Sequence, residues 1–474
     1  MSEDTRREDT GGAPLPSAPP EAWEPLLRLM RLASRPLDRF LHVEASSGVV
    51  LLVVAALAMI WANSPWADHY TRLWETPIGL RIGGVAFERS LAWFVNDGLM
   101  AIFFFVVGME IRREMHHGEL SELRRATLPL AAAVGGMIAP ALLYLTLVGP
   151  DPTARGGWGV PMATDIAFAV GVLALLGKRV PAAVRVLLLA VAVIDDLGAI
   201  LVIALFYSSG VSMAGFGVAG LGLLGIFALQ GLGVRTPLVY LAPALVVWGG
   251  TYAAGVHPTI AGVIIGLITP VRAWFGPEGF VRGVQHELNR LTNGSTTPAE
   301  LSQALRQVEM VRQGAISPSE RLIEALHPWV AFGIMPIFAL ANAGVSLQGI
   351  SLDGPAMGVA TAIAAGLVFG KPLGVLLASG LALRLGIAKL PRGMGLPQLA
   401  VLGAVAGIGF TMALFIAQLA FKDPTLLGAA KIGVLGASLA AGVVGLGLGV
   451  LLLKPVASTD CAATADEAEG STES

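Results

Sequence analysis

Apolar runs long enough to cross about 30 Å of hydrocarbon recur along this chain at 46–62, 91–111, 127–148, 157–177, 182–207, 214–231, 237–254, 256–270, 329–345, 356–383, 397–420 and 428–453. Short polar pauses separate them, the briefest being "GTYAAGVHP" between the seventh and eighth. The rhythm predicts an all-α polytopic membrane protein of about twelve transmembrane helices. Two polar excursions interrupt it. In "TPIGLRIGGVAFERS" alternating apolar residues flank Gly83 and Gly84, a two-residue turn signal, which predicts a small β-hairpin over 76–90. A lone hairpin has open edges and is marginal in water, so it either pairs with a second copy or packs on its own helices. The stretch 271–327 contains "TPAELSQALRQVEMVRQ", where Thr297 as N-cap and Glu300 three residues on form a capping-box signature. It predicts a surface helix without chemistry.

Composition agrees with the pattern. Hydrophobic residues make up 55% of the 474 positions and charged residues 14%, against roughly 45–50% and about 25% in soluble domains. Gly, Ala and Leu abound, which suits close helix packing in lipid. The net charge of −2 says little about partners, and nothing suggests nucleic acid. The single cysteine, Cys461, permits no intrachain disulfide.

Polar, Pro-rich residues 1–40 contain no early apolar core. They read as a disordered cytoplasmic tail rather than a cleaved signal. Residues 455–474 read as a second tail, leaving 41–454 as one membrane domain with a cytoplasmic loop at 271–327. Arg112, Arg113, Arg124, Arg125, Lys178, Arg179, Arg185, Arg235, Arg384, Lys389 and Arg392 follow even-numbered spans, whereas the opposite loops are poor in Lys and Arg. By the positive-inside rule both termini are cytoplasmic and the hairpin lies outside.

The fifth span carries the anomaly. "AVAVIDDLGAILVIALF" holds Asp195 and Asp196 in an otherwise apolar run, where each central charge costs roughly 2.5–3.5 kcal/mol and each Leu, Ile, Val or Phe returns only about 0.3–0.6. Further charges at membrane depth are Asp165 in "MATDIAFAVG", Lys371 in "VFGKPLG" and Asp97 in "FVNDGLM". Asp97 sits near its span's start and suits a cap or interfacial role as well as transport. A purely structural ion-pair cluster explains the others poorly, because three carboxylates and one lysine leave charge unbalanced.

Neighbouring helical residues point roughly 100° apart, so Asp195 and Asp196 each need their own neighbour. Like charges this close resist simultaneous ionisation, which lets a proton exchange for a metal ion near neutral pH. Oxygen ligands suit hard cations, and a small monovalent ion fits best. Pro161, Thr164 and Asp165 in the fourth span, and Gly403, Gly407, Gly409 and Thr411 in the eleventh, mark helix interruptions. Irregular backbone at this depth must line a cavity, and its half-helix ends carry partial charges. Asp165 would answer the positive ends and Lys371 the negative ones. The interrupted spans are the middles of triplets three to five and ten to twelve, the pattern of an inverted repeat with its site at the midplane.

"TDIAFAVGVLALLGKRVP", "AVIDDLGAI", "GVHPTIAGVIIG", "LHPWVAFGIMPIFALANAGVSL", "GKPLGVL" and "GIGFTMALFIAQLAF" together resemble the bacterial NhaA-type sodium/proton antiporters, in order and over nearly all of 40–453. The resemblance implies a twelve-helix inverted-repeat fold with crossed, unwound fourth and eleventh helices, and a homodimer paired through the outside hairpin. It implies electrogenic exchange of two protons for one sodium or lithium ion across the bacterial inner membrane, without a cofactor. It makes Asp196 the principal cation ligand and proton carrier, with Asp195 beside it in that role or paired with Lys371. Thr164 becomes an additional ligand, and Asp165 and Lys371 the compensators of the broken-helix dipoles. Asp97 matches the family's Asn-Asp pair. Glu110, Glu114, His257 and His327 match positions of its pH-sensing region, although "SERLIEALHPWV" places Ile323 and Glu324 where relatives often carry an acid and a histidine.

Three rivals use the same residues. An intramembrane aspartyl protease needs two acids sharing a water and gives Lys371 no role. A cation channel or a sodium-coupled symporter would use the carboxylates without proton exchange.

Overall fold

The computed structural model describes residues 44–453, apart from Gly83, Gly84, Ser209, Val211, Arg235, 293–296, 347–353 and Arg392. Both expected tails and the hairpin's two-glycine turn therefore lie outside the described residues. The described chain is mostly helical, with one two-stranded sheet. In order it contains α1 (Glu44–Ala62), α2 (Ala67–Glu75), β1 (Pro77–Ile82), β2 (Val85–Ser90), α3 (Leu91–His116), α4 (Arg124–Leu147), α5 (Pro152–Met162), α6 (Ile166–Leu175), α7 (Ala182–Phe206), α8 (Met213–Gly231), α9 (Pro237–Ala253) and α10 (Thr259–Ile268). There follow α11 (Gly276–Thr292), α12 (Pro298–Ala315), α13 (Pro318–Asn342), α14 (Pro355–Arg384), α15 (Leu396–Ala406), α16 (Phe410–Ala420) and α17 (Pro424–Leu452).

Among the described residues seven helices are long and apolar enough to cross a membrane, and up to ten spans result if each bent pair counts as one. The pairs are α1 with α2, bent by 111°, α5 with α6, bent by 48°, and α15 with α16, bent by 46°. The seventh and eighth apolar windows fall on the shorter helices α9 and α10.

Local chemistry sets several boundaries. The ninth window begins at 329, yet α13 already starts at Pro318, because Ser317 accepts the Glu320 N–H at 3.1 Å and proline fits the first helical turn. At α12 the Thr297 hydroxyl accepts from the Glu300 N–H at 3.3 Å, and a Glu300 carboxyl oxygen accepts from the Thr297 N–H at 2.9 Å. Three π-helical segments, Phe94–Leu99, Val330–Ile334 and Gly366–Gly370, widen α3, α13 and α14. Pro336 and Pro372 follow the second and third by two residues, where a missing N–H opens the hydrogen-bond ladder.

Strands β1 and β2 pair antiparallel from Pro77↔Ser90 to Ile82↔Val85. The hairpin packs on its own helices through Phe87, whose ring meets Trp93 at 5.5 Å and Tyr252 at 6.5 Å between centroids. Arg89 reinforces the contact by donating to the Tyr252 hydroxyl at 2.7 Å.

Helices close on one another where glycine permits. A Cβ on Gly135 of α4 would lie 2.2 Å from the Gly374 carbonyl oxygen of α14, and one on Gly374 would lie 2.1 Å from the Gly135 oxygen. This contact sets α4 against α14 beside Lys371, whose Cγ and Cε would stand 3.7 Å from a Cβ on Gly136.

Candidate cation and proton site

The breaks between α5 and α6 and between α15 and α16 meet in the interior. There the Asp165 N–H donates to the Ile408 carbonyl at 2.7 Å. Four half-helix ends converge, and each leaves backbone groups that its own helix cannot satisfy. Asp165 serves both N-terminal ends. Its Oδ1 accepts the Phe168 N–H at 3.0 Å, and its Oδ2 accepts the Thr411 N–H at 3.1 Å and the Thr411 hydroxyl. Ser438 of α17 completes the α16 start by accepting the Phe410 N–H at 3.0 Å. Lys371 serves the C-terminal end of α5 by donating to the Met162 carbonyl, and Thr164 lies 3.0 Å from the Ala406 carbonyl at the end of α15. A buried carboxylate thus faces the positive ends, and a cation and a hydroxyl face the negative ones.

Helix α7 adds the two aspartates. Asp195 Oδ2 receives Lys371 Nζ at 2.8 Å and the Thr164 hydroxyl at 2.8 Å, while its Oδ1 has no hydrogen-bond partner among the described residues. Asp196 is equally buried, at 1% exposure, and neither of its carboxyl oxygens has a hydrogen-bond partner among the described residues. Of the two aspartates, Asp195 has hydrogen-bonding neighbours, and Asp196 has none among the described residues. An ionised carboxylate without donors in a dry interior costs several kcal/mol, on the order of the penalty for any unpaired buried charge. Both Asp196 oxygens are thus left for a partner other than a side chain among the described residues. Asp195, Glu110, Asp165 and Lys371 lie within electrostatic reach of Asp196, and among the described residues no group of three His, Cys, Asp or Glu is arranged for a metal.

The remaining expected residues fall into two separate places. Glu110 of α3 lies within electrostatic reach of His327, Arg113 and Glu114, and also of Asp196. His257 does not join them. Its Nε2 stands 3.1 Å from Asp97 Oδ1, its Nδ1 2.9 Å from the Thr259 hydroxyl, and its ring meets Phe415 edge-on at 5.4 Å. The sequence singles out neither Ser438 nor the amides Asn342 and Gln418, and marks Asn96 only as the partner of Asp97 in the Asn-Asp pair. Asn342 and Gln418 announce themselves only as lone polar letters in "FALANAGV" and "FIAQLAF".

Residues 38–448 match the protein family described as Na+/H+ antiporter 1. The chain is 64% identical over 457 residues to the "Na(+)/H(+) antiporter NhaA 2" of Myxococcus xanthus (strain DK1622), covering 96% of this chain and 97% of that one. It is 56% identical over 467 residues to the like-named protein of Sorangium cellulosum (strain So ce56), covering 98% and 100%. It is 52% identical over 442 residues to that of Pseudomonas putida (strain KT2440 among its designations), covering 91% and 97%.

Proposed function

This chain belongs to the Na+/H+ antiporter 1 family, and from that premise we propose that it exchanges cytoplasmic sodium or lithium for external protons across the bacterial inner membrane. The exchange is electrogenic, two protons for one ion, and is regulated by pH. We read the fold as twelve spans with an inverted repeat, in which α5 with α6 forms the interrupted fourth span and α15 with α16 the eleventh. Both termini are cytoplasmic, and two copies pair through the 76–90 hairpin.

The observation that carries this reading is the Asp196 carboxyl, buried with both oxygens unpartnered beside an Asp195 that is already engaged. Asp196 is the principal cation ligand and proton carrier. Thr164 and Asp195 supply further oxygens, and Asp165 and Lys371 compensate the half-helix ends. When the cytoplasm is alkaline, Asp196 loses one proton, the Asp195–Lys371 pair loses a second, and the ion takes their place. The loaded site turns outward, protons displace the ion, and the neutralised site returns. Proton and ion compete for one set of oxygens, so exchange follows without a separate coupling device. Glu110, Glu114 and His327 form the pH-responsive group on the cytoplasmic side, and the Asp97–His257 pair stands apart at the other end.

The test is reconstitution of the purified full chain in vesicles, with sodium-driven change of internal pH as the readout. The parent should exchange without any organic solute, and Asp196→Asn should show no cation-coupled proton movement. Normal exchange by Asp196→Asn would overturn the assignment.

A further inference from the structure

Three helices stack the same two kinds of side chain above the site. Helix α16 gives the depth scale: Thr411 touches Asp165, Phe415 lies four residues on and Gln418 seven, or about 6 Å and about 10 Å further along at 1.5 Å per residue. Phe415 meets Phe104 of α3 at 5.4 Å and Phe338 of α13 at 6.2 Å between ring centroids. One turn further out, Gln418 donates its amide N–H to Asn342 Oδ1, and Asn342 Nδ2 donates to Asn96 Oδ1 at 2.8 Å and to the Phe338 carbonyl at 2.9 Å. The ring layer and the amide layer thus come from the same three helices, α3, α13 and α16. Asn342 is 2% exposed and uses both amide hydrogens and its oxygen. Asn96 lies in a π-helical segment that directly follows the hairpin and α3's first turn, which places both layers at the hairpin end.

We propose that Asn96, Asn342 and Gln418 are positioning residues that latch α3, α13 and α16 together, holding the Phe104, Phe338 and Phe415 rings closed between the carboxylates and the outside. This rests on the reading that the hairpin face is external and that the site must open there to release its ion. Rings alone slide easily, because apolar contacts are non-directional. Three hydrogen-bonded amides have directed geometry and one registered arrangement. The closed state is therefore specified by the amides and sealed by the rings. An ion leaving Asp196 must part the rings, and the amides then offer carbonyl oxygens to replace part of its lost coordination.

The single native cysteine makes the test direct. In a Cys461→Ser background, Met412→Cys places a thiol on α16 one turn inside Phe415, at a position 2% exposed. Right-side-out vesicles are treated with a membrane-impermeant cationic methanethiosulfonate, and the labelling rate is followed. We expect slow labelling with the amides intact and at least a tenfold faster rate with Asn342→Ala or Gln418→Ala, with labelling from the inside unchanged. Two variants are used so that one which fails to fold leaves the other to decide, and each is compared only if its thermal transition matches the parent. An unchanged external rate in a folded variant would overturn the latch. Labelling needs no transport, so absent sodium/proton exchange in the parent would count against the antiport reading and leave the latch result intact.

Discussion

Lys371 Nζ stands 2.8 Å from Asp195 Oδ2, and neither side chain is exposed. The same Asp195 oxygen also receives the Thr164 hydroxyl, whereas Asp196, the next residue on α7, receives no hydrogen bond from the described residues. Adjacent helical positions diverge by about 100°, so one lysine cannot serve both acids. The two aspartates therefore differ in kind: one is neutralised by the fold, and the other is left open.

Removing the lysine alone strands Asp195 as an unpaired buried acid. Lys371→Met should lower stability by about 3–5 kcal/mol, read as a fall in the thermal transition of the purified protein in detergent. The double substitution Lys371→Met with Asp195→Asn should recover most of that loss. Simple additivity of the two single effects would show that the pair is not coupled.

Asp196 behaves oppositely. Because no donor is lost, Asp196→Asn should leave the thermal transition equal to the parent's or higher. Sodium added to the detergent-solubilised variant should release no protons, measured with a pH dye in weak buffer. A strong destabilisation would mean that Asp196 has a structural partner.

Much of this arrangement was legible in the chain. Asp165, Asp195, Asp196 and Lys371 stood out because charge at membrane depth is costly, and "GVPMATD" and "GIGFT" advertised the breaks. What could not be read was which charge meets which. Spacing puts Asp195 and Asp196 on equal footing and the family resemblance leaves Asp195 either a ligand or the partner of Lys371, whereas the approach of α14, set by glycine contacts distant in sequence, gives Lys371 to Asp195. Ser438, Asn342 and Gln418 are equally opaque, because a single polar residue in an apolar helix says nothing about the helix it will face. The start of α13 was misjudged for a related reason: its first turns are polar, and hydropathy marks the membrane-like part of a helix rather than its N-cap.

Asp165 ties two half-helix starts together, so its charge and its two oxygens can be separated experimentally. Asp165→Asn keeps one acceptor oxygen and should cost about 1.5–3 kcal/mol, the range for a charge-assisted hydrogen bond. Thr411→Val removes only the hydroxyl donor and should cost about 1 kcal/mol. Equal losses would mean that the carboxylate charge contributes nothing at the two helix ends.

Outside the membrane domain's spans, the Thr297 N–H and hydroxyl hold the Glu300 carboxyl below its ordinary range. A depressed folded value contributes stability above the unfolded value and loses it as pH falls through the folded one. The protection factors of the amides in the first turn of α12, which are exchange rates corrected for the intrinsic pH dependence, should therefore fall on acidification below the ordinary carboxylate range. In Glu300→Gln that pH dependence should vanish.

Two glycines of α14 give the sharpest internal control. A methyl on Gly374 would lie 2.1 Å from the Gly135 carbonyl oxygen and 2.7 Å from the Ala139 Cβ, whereas one on Gly380 would meet nothing within 4 Å. Both positions are helical, so the propensity gain from Gly→Ala, up to about 1 kcal/mol, is common to both. Gly374→Ala must push α14 off α4, an overpacking cost of about 1–3 kcal/mol or more, and because Lys371 sits one turn earlier it should also loosen the ion pair with Asp195. Gly380→Ala should be neutral or stabilising. Thermal unfolding of the two variants, with Lys371→Met added to each, checks the mechanism: the lysine substitution should cost less on the Gly374→Ala background than on Gly380→Ala, because the displaced helix has already weakened what the lysine holds.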